Sequence, residues 1–375
     1  MRIVIAPDKF AGTLSAVQAA HAIAEGWRRT APASEIATAP MADGGPGFVD
    51  VVRASLGGEL LAGTVRGPLD EPVPSTLLLT GDTAYVESAQ ACGLALMPRD
   101  PDGRNPQPGA VERASTYGVG ELIASAIDAG ARRVVVGLGG SGTNDGGAGL
   151  LAALGATSTP ATALTGGPSA LAEIGSLDLE AARSRVSGVE LIAASDVDNP
   201  LLGLRGASNV FGEQKGLVDD DAKLAADTAL TAFADLAGRE TADAAGAGAA
   251  GGLGYALLLL GAARVSGFET VASAVGLYDL VAACDVVVTG EGKLDWQSMN
   301  GKVPVGVAGV ANAAVRPCIA LAGDVQVGNR ELRANGIEAA YGLVDMVGEA
   351  AAFDRPAESL AAVAERVAKT WDRRR

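Results

Sequence analysis

Histidine is almost missing from this chain: His21 is the only one. A Ser-His-Asp hydrolase and a His-rich zinc site are therefore excluded, and any proton transfer falls to a carboxylate or a lysine. His21 itself follows Val17 by four residues in a predicted helix, which reads as a partly packed side chain. Cysteine is scarce too. Cys92, Cys284 and Cys318 are far apart, odd in number and form no CxxC pair, so a reducing, cytoplasmic setting is expected. Positive charge is in deficit, with 29 Lys and Arg against 44 Asp and Glu and a net charge of −15. That argues against a nucleic-acid partner, which needs a cationic stripe, and disfavours an anionic membrane surface. The longest apolar stretch, Tyr255 to Ala263, is too short to span a bilayer, and the opening residues Met1 to Lys9 lack the apolar run of a signal peptide. No GxxxxGK[ST] occurs, so this is not a P-loop NTPase.

Small apolar residues and glycine are plentiful. Hydrophobic residues make up 48% of the chain although aromatics supply only 4%, and there are 51 glycines. That balance suits short buried strands alternating with Ala-rich helices in an α/β fold, and 375 residues favour two domains. Ile3 to Ala6 reads as a strand buried on both faces, and Ser15 with Gln18 as a capping box opening a helix to about Arg29. Leu77–Leu79 and Ala84–Val86 predict an antiparallel hairpin across Thr80 to Thr83. A helix over 120–129 leads to a strand at Val134–Val136, residues 156–169 read as a surface loop, and Leu191 to Ser195 as a strand. A strand at Val286–Val288, a helix over 303–314, a strand at Cys318–Ala322 and a last unit near Ala339–Leu343 follow. The pattern predicts a doubly wound domain from both chain ends, residues 1–70 and 285–375, with a second α/β domain of mixed sheet, residues 71–284, inserted.

Gly137-Leu138-Gly139-Gly140-Ser141-Gly142 satisfies GxGxxG directly after a strand, as in dinucleotide-binding proteins. Such a site needs an acid about 20 residues further on for the ribose. None stands between Asp145 and Glu173, which counts against the nicotinamide reading but leaves a nicotinamide oxidoreductase of a hydroxy acid as a rival. What remains is phosphate binding by Gly139, Gly140, Ser141, Thr143, Asn144 and Asp145, through bare amides, hydroxyls and a carboxylate, set against a turn that merely packs closely. Gly246 to Gly251 fits the same pattern but follows no strand.

Acids recur where predicted strands end: Asp8, Asp43, the pair Asp196 and Asp198, and Glu291 with Asp295. A solvated loop acid is the plain alternative for each. Asp196-Val197-Asp198 can present two carboxylates on one side of an extended segment, suited to Mg²⁺ and a base. Lys302 opens a helix, where a bound anion would offset its charge, whereas Lys215 and Lys293 read as surface lysines.

Ala6-Pro7-Asp8-Lys9-Phe10-Ala11-Gly12, Pro40 to Gly45, Gly137 to Gly149, Ser195 to Leu201, Val210 to Gly216, Gly246 to Gly254 and Thr289 to Asp295 with Gln297, Ser298, Gly301 and Lys302 occur in order along the chain. Together they resemble the signature runs of the type 1 glycerate kinase family. The resemblance implies a flavodoxin-like domain interrupted by a second α/β domain, with a Mg-assisted site in the cleft between. It implies ATP-dependent phosphorylation of D-glycerate to 2-phosphoglycerate, with ATP and Mg²⁺ as cofactors and glycerate as the small-molecule partner. By similarity Asp196 matches the catalytic base, with Lys302 and Asp198 beside it and Asp196 and Asp198 on the metal. Asp8, Lys9, Asp43, Glu291, Asp295 and Ser298 would bind the substrate, and the 139–147 loop the phosphates. Relatives carry Ser then Lys in the first loop where this chain has Lys9 and Ala11, so Lys9 is expected to act from two residues earlier. A homodimer is one open assembly. A kinase of another small hydroxy acid and a non-catalytic glycerate-binding protein are the alternatives.

Overall fold

Short runs of β-branched and small residues set the frame. The computed structural model describes residues 1–10, 12–103 and 106–372; Ala11, part of the first-loop departure, lies outside them. In chain order the strands are β1 (Arg2–Pro7), β2 (Glu35–Thr38), β3 (Glu59–Arg66), β4 (Pro72–Thr80), β5 (Thr83–Glu87), β6 (Arg133–Gly137) and β7 (Thr157–Thr159). They continue with β8 (Ser176–Asp178), β9 (Glu190–Ala194), β10 (Ala263–Val265), β11 (Val286–Leu294), β12 (Cys318–Val325) and β13 (Ile337–Gly342).

The chain divides into two compact units. The first comprises Met1–Asp43, Asp50–Gly57 and Phe268–Arg375, and the second Gly44–Val49 and Gly58–Gly267. The reading from sequence put the joins at 70/71 and 284/285. Here β3 joins the second unit because it pairs with β4 from Glu59↔Leu79 to Arg66↔Pro72. The helix Leu277–Ala283 belongs to the first.

The first unit holds a five-stranded sheet in the order β13-β12-β11-β1-β2, with every neighbour parallel. Renumbered along the chain this is 2-1-3-4-5, the doubly wound flavodoxin-like order. β1 is buried from Ile3 to Ala6, as a strand covered on both faces must be. The helix Ala16–Thr30 starts at the Ser15/Gln18 capping box, with Ser15 Oγ accepting from Gln18 N. It packs on the helix Pro356–Trp371 so tightly that a Cβ at Gly26 would stand 1.9 Å from the Ala361 carbonyl oxygen. Trp27, Ile23 and Leu360 fill the layer between these helices and the sheet.

The second unit holds a six-stranded sheet in the order β10-β9-β6-β5-β4-β3, and a two-stranded sheet of β7 with β8. The hairpin β4–β5 pairs Leu77 with Val86, and β5, β6, β9 and β10 then run parallel. Its core gathers Val134, Val136, Leu191, Phe233 and Tyr255. Residues 156–169 are not simply a surface loop: β7 lies within them, and Ala163 and Leu164 are buried. No helix among the described residues is long and apolar enough to cross a membrane.

Candidate active site

In the first unit, parallel strands end together and bring acids to one edge. Asp8 follows β1, and its N–H donates to the Gly290 carbonyl on β11 at 2.8 Å. Glu291 was expected after a strand ending near Val288 but lies inside β11, which continues because it pairs with β12 as far as Leu294↔Val325. The segment beyond β2 follows β1, Met41 N donating to the Pro7 carbonyl, and so delivers Asp43. Lys302 sits at the N-cap of the helix Val303–Ala313.

These side chains line one cavity of about 560 Å³: Asp8, Lys9, Asp43, Glu291, Asp295 and Lys302 all reach it. Lys9 Nζ stands 3.7 Å from Asp8 Oδ1. Burial pushes the Asp8 carboxyl up to about 6, against the pull of Lys9, with Asp43 adding to the rise. Burial likewise pushes Glu291 up to about 7, against Ser298 and Lys302. Glu291 Oε1 is buried without a hydrogen-bond partner. An acid with an unmatched oxygen facing a void is a group waiting for a ligand.

Ser298 does not line the cavity. It is fully buried, its Oγ accepting from Asp295 N and donating to the Lys293 carbonyl, so it shapes the loop behind the wall. Asp295 turns that loop by accepting from Gln297 N at 2.9 Å. Lys293 is largely exposed, but it too lines the cavity. Asp324, in the same cavity, went unread although it follows the buried run Cys318–Ala322 by the rule that found Asp8.

In the second unit, β6 ends at Gly137 and the glycine-rich turn follows. Gly139 is half-buried, Gly140 is exposed with φ +71°, and Ser141 is nearly covered. The N–H groups of Gly139, Gly140 and Ser141 donate to no described residue. Three consecutive open amides can receive an anionic oxygen. Beyond them the picture changes. Thr143, Asn144 and Asp145 are fully buried, so the expectation that they touch phosphate fails on access. Asp145 accepts from Thr116 N, Thr116 Oγ1, Gly147 N and Gly149 N. Burial pushes its carboxyl up while these four donors pull it down. Asn144 Nδ2 donates to Ser208 Oγ at 2.9 Å. Much of the glycine content answers to packing: a Cβ on Gly142 would stand 2.5 Å from Met97 Cγ, and one on Gly139 2.6 Å from Gly45 Cα.

Lys215 reverses its expectation. It is 2% exposed, and its Nζ donates to Ser141 Oγ at 3.0 Å and to the Thr143 carbonyl at 2.8 Å. Nothing in the local sequence separates it from a surface lysine. His21 is also reversed, standing exposed on its helix.

Asp196 and Asp198 follow β9, both exposed on an extended segment. Ser266 Oγ donates to Asp196 Oδ1 at 2.5 Å. Arg264 donates to Asp198 Oδ1, and Asp198 Oδ2 has no protein partner among the described residues. No group of three or more His, Cys, Asp or Glu among the described residues is arranged to hold a metal. Mg²⁺ needs only one or two carboxylates, because it keeps waters and takes phosphate oxygens. The open Asp198 oxygen fits that demand.

A family model described as the Glycerate kinase family matches residues 3–372. The chain is 42% identical to a glycerate kinase of Bacillus subtilis (strain 168), over 92% of this chain and 90% of that one. It is 38% identical to a glycerate 2-kinase of Escherichia coli (strain K12), over 93% and 92%. A solved structure from Salmonella typhimurium LT2, assigned as glycerate kinase 2, superposes with a TM-score of 0.81 at 37% identity, covering 99% of this chain and 98% of that one.

Proposed function

The chain belongs to the glycerate kinase family, and from that premise we propose that it transfers the γ-phosphoryl group of ATP to the 2-hydroxyl of D-glycerate. The observation that carries the reading is the cavity in which Asp8, Lys9, Asp43, Glu291, Asp295 and Lys302 converge. A small hydroxy acid needs cations for its carboxylate and acceptors for its hydroxyls. Lys9 and Lys302 supply the first, and Asp8, Asp43 and Asp295 the second. Glu291, held near neutral pKa, can carry a proton to donate in turn.

Asp196 takes the role of base. It accepts the 2-hydroxyl proton as that oxygen bonds to the γ-phosphorus and the bond to the β-phosphate oxygen breaks, releasing ADP. The Gly139, Gly140 and Ser141 amides receive phosphate oxygens, where fixed donors are worth most. Asp196 and Asp198 are the residues that would hold Mg²⁺, which when bound spreads the charge of the phosphoryl group.

The deciding assay supplies ATP, Mg²⁺ and D-glycerate and reads the product by phosphorus NMR. A 2-phosphoglycerate signal is expected. Phosphorylation at the 3-hydroxyl would overturn the regiochemistry, and no transfer at all would overturn the activity. Asp196→Asn should lower kcat roughly 10²- to 10⁴-fold with KM little changed. Turnover at the parent rate in that variant would remove Asp196 from the mechanism.

A further inference from the structure

Lys215 is a buried ammonium without an ion pair among the described residues, since its partners are one hydroxyl and one carbonyl. An ammonium offers donors only, so Ser141 Oγ must accept from it. A serine hydroxyl that accepts from a fixed cation has its own proton left to give, and no described residue takes it. The same ammonium ties down the Thr143 carbonyl, which on its other side presses Gly251 so closely that a Cβ there would lie 2.0 Å away. The turn is thus clamped with its carbonyl inward, while the Gly139, Gly140 and Ser141 amides remain unused.

Two titratable groups face Lys215: Cys92 and Asp145. Burial pushes Cys92 up to about 12, which keeps its thiol neutral. Asp145 is already committed to Thr116, Gly147 and Gly149. A buried cation so placed is costly to desolvate. The cost is recovered when an anion docks at the open amides.

We propose that Lys215 is a positioning residue of the phosphate site: it fixes Ser141 as a donor and, with the adjoining free amides, readies the turn for an anionic phosphate oxygen. This rests on the reading of the 139–141 turn as the phosphate site. Burial pulls the Lys215 pKa down to about 8, so its charge, and the anion affinity with it, falls as pH rises through that value.

The test uses the full chain with inorganic tripolyphosphate as probe, followed by calorimetry at pH 7 and pH 9. Lys215→Met should weaken binding at pH 7 roughly 10- to 100-fold, the worth of a hydrogen bond to a charged group. Its melting temperature should fall as well, since Ser141 Oγ and the Thr143 carbonyl lose their buried donor, but a purely structural clamp would give no pH step in anion binding. Ser141→Ala should lose a comparable share, and the double variant should bind no more than about 2-fold worse than the weaker single, because the two act as one unit. The parent protein should lose affinity between pH 7 and pH 9, and both single variants should lack that step. Should Lys215→Met fail to fold, the pH step in the parent and in Ser141→Ala still decides. Unaltered binding in Lys215→Met, independent losses in the double variant, or a pH step that survives in Ser141→Ala would each overturn the proposal. A parent that binds tripolyphosphate but never phosphorylates glycerate would break the functional reading alone. A parent that phosphorylates glycerate with Lys215 irrelevant to binding would break this one alone.

Discussion

Glu291 in the first unit and Asp145 in the second are both buried acids pushed up by desolvation, and they serve opposite ends. Asp145 accepts four hydrogen bonds and is fully buried, so it is a rivet. Glu291 has an unmatched buried oxygen on a void of about 560 Å³, the geometry of the receptor role proposed for it. Burial and a raised pKa therefore do not distinguish scaffold from site. Saturation of hydrogen bonds and an adjoining void do.

The sharpest way to break this contrast is Asp145→Ala. It strands three amides and the Thr116 hydroxyl without their acceptor, which should cost about 3–5 kcal/mol, read as a lower urea midpoint at constant slope. A loss under about 1 kcal/mol would mean that water replaces the carboxylate, and the rivet description would fail.

Glu291→Gln should go the other way. The folded pKa of Glu291 is about 7 against an ordinary 4.5, so the folded state binds more protons than the unfolded one between these values. The group's contribution is most favourable below pH 4.5 and is lost as pH rises through 7. The neutral amide escapes that loss, so the variant should be more stable than the parent at pH 8 by about 3 kcal/mol and level with it near pH 4. Thermal melts across that range check the sign. Its KM for glycerate should rise if Glu291 receives the substrate. Equal melting at both pH values would show that Glu291 titrates normally.

The smallest effect belongs to His21→Ala. His21 is exposed and outside both clusters. Stability within about 0.5 kcal/mol of the parent and unaltered kcat are expected. A lost bell-shaped pH limb in that variant would return the histidine to the chemistry.

Local signals in the sequence were accurate where they depend on close neighbours. The Ser15/Gln18 capping box and the Leu77–Val86 hairpin could both be read, because each is fixed by residues a few positions apart, and the Ile3–Ala6 strand could be read from its unbroken apolar run. The acids at strand ends were legible by rule, and Asp8, Asp43, Glu291 and Asp295 do share a cavity. β11 was read too short because Gly290-Glu291-Gly292 looks like a loop, and only its pairing with β12 makes it strand. Ser298 was placed on the cavity wall, although its hydroxyl is spent within its own loop.

The sequence by itself determined the alternation of strand and helix, the shortage of histidine that leaves proton transfer to a carboxylate or a lysine, and the family pattern of motifs. Tertiary structure alone decided which polar groups are spent and which are open. Lys215 and Lys293 look alike in the chain, yet one is sealed beneath the Ser141 turn and the other is solvated. The reason is physical: backbone preference is set by nearby residues, whereas burial and hydrogen-bond saturation are set by partners such as Ser141, 74 positions from Lys215.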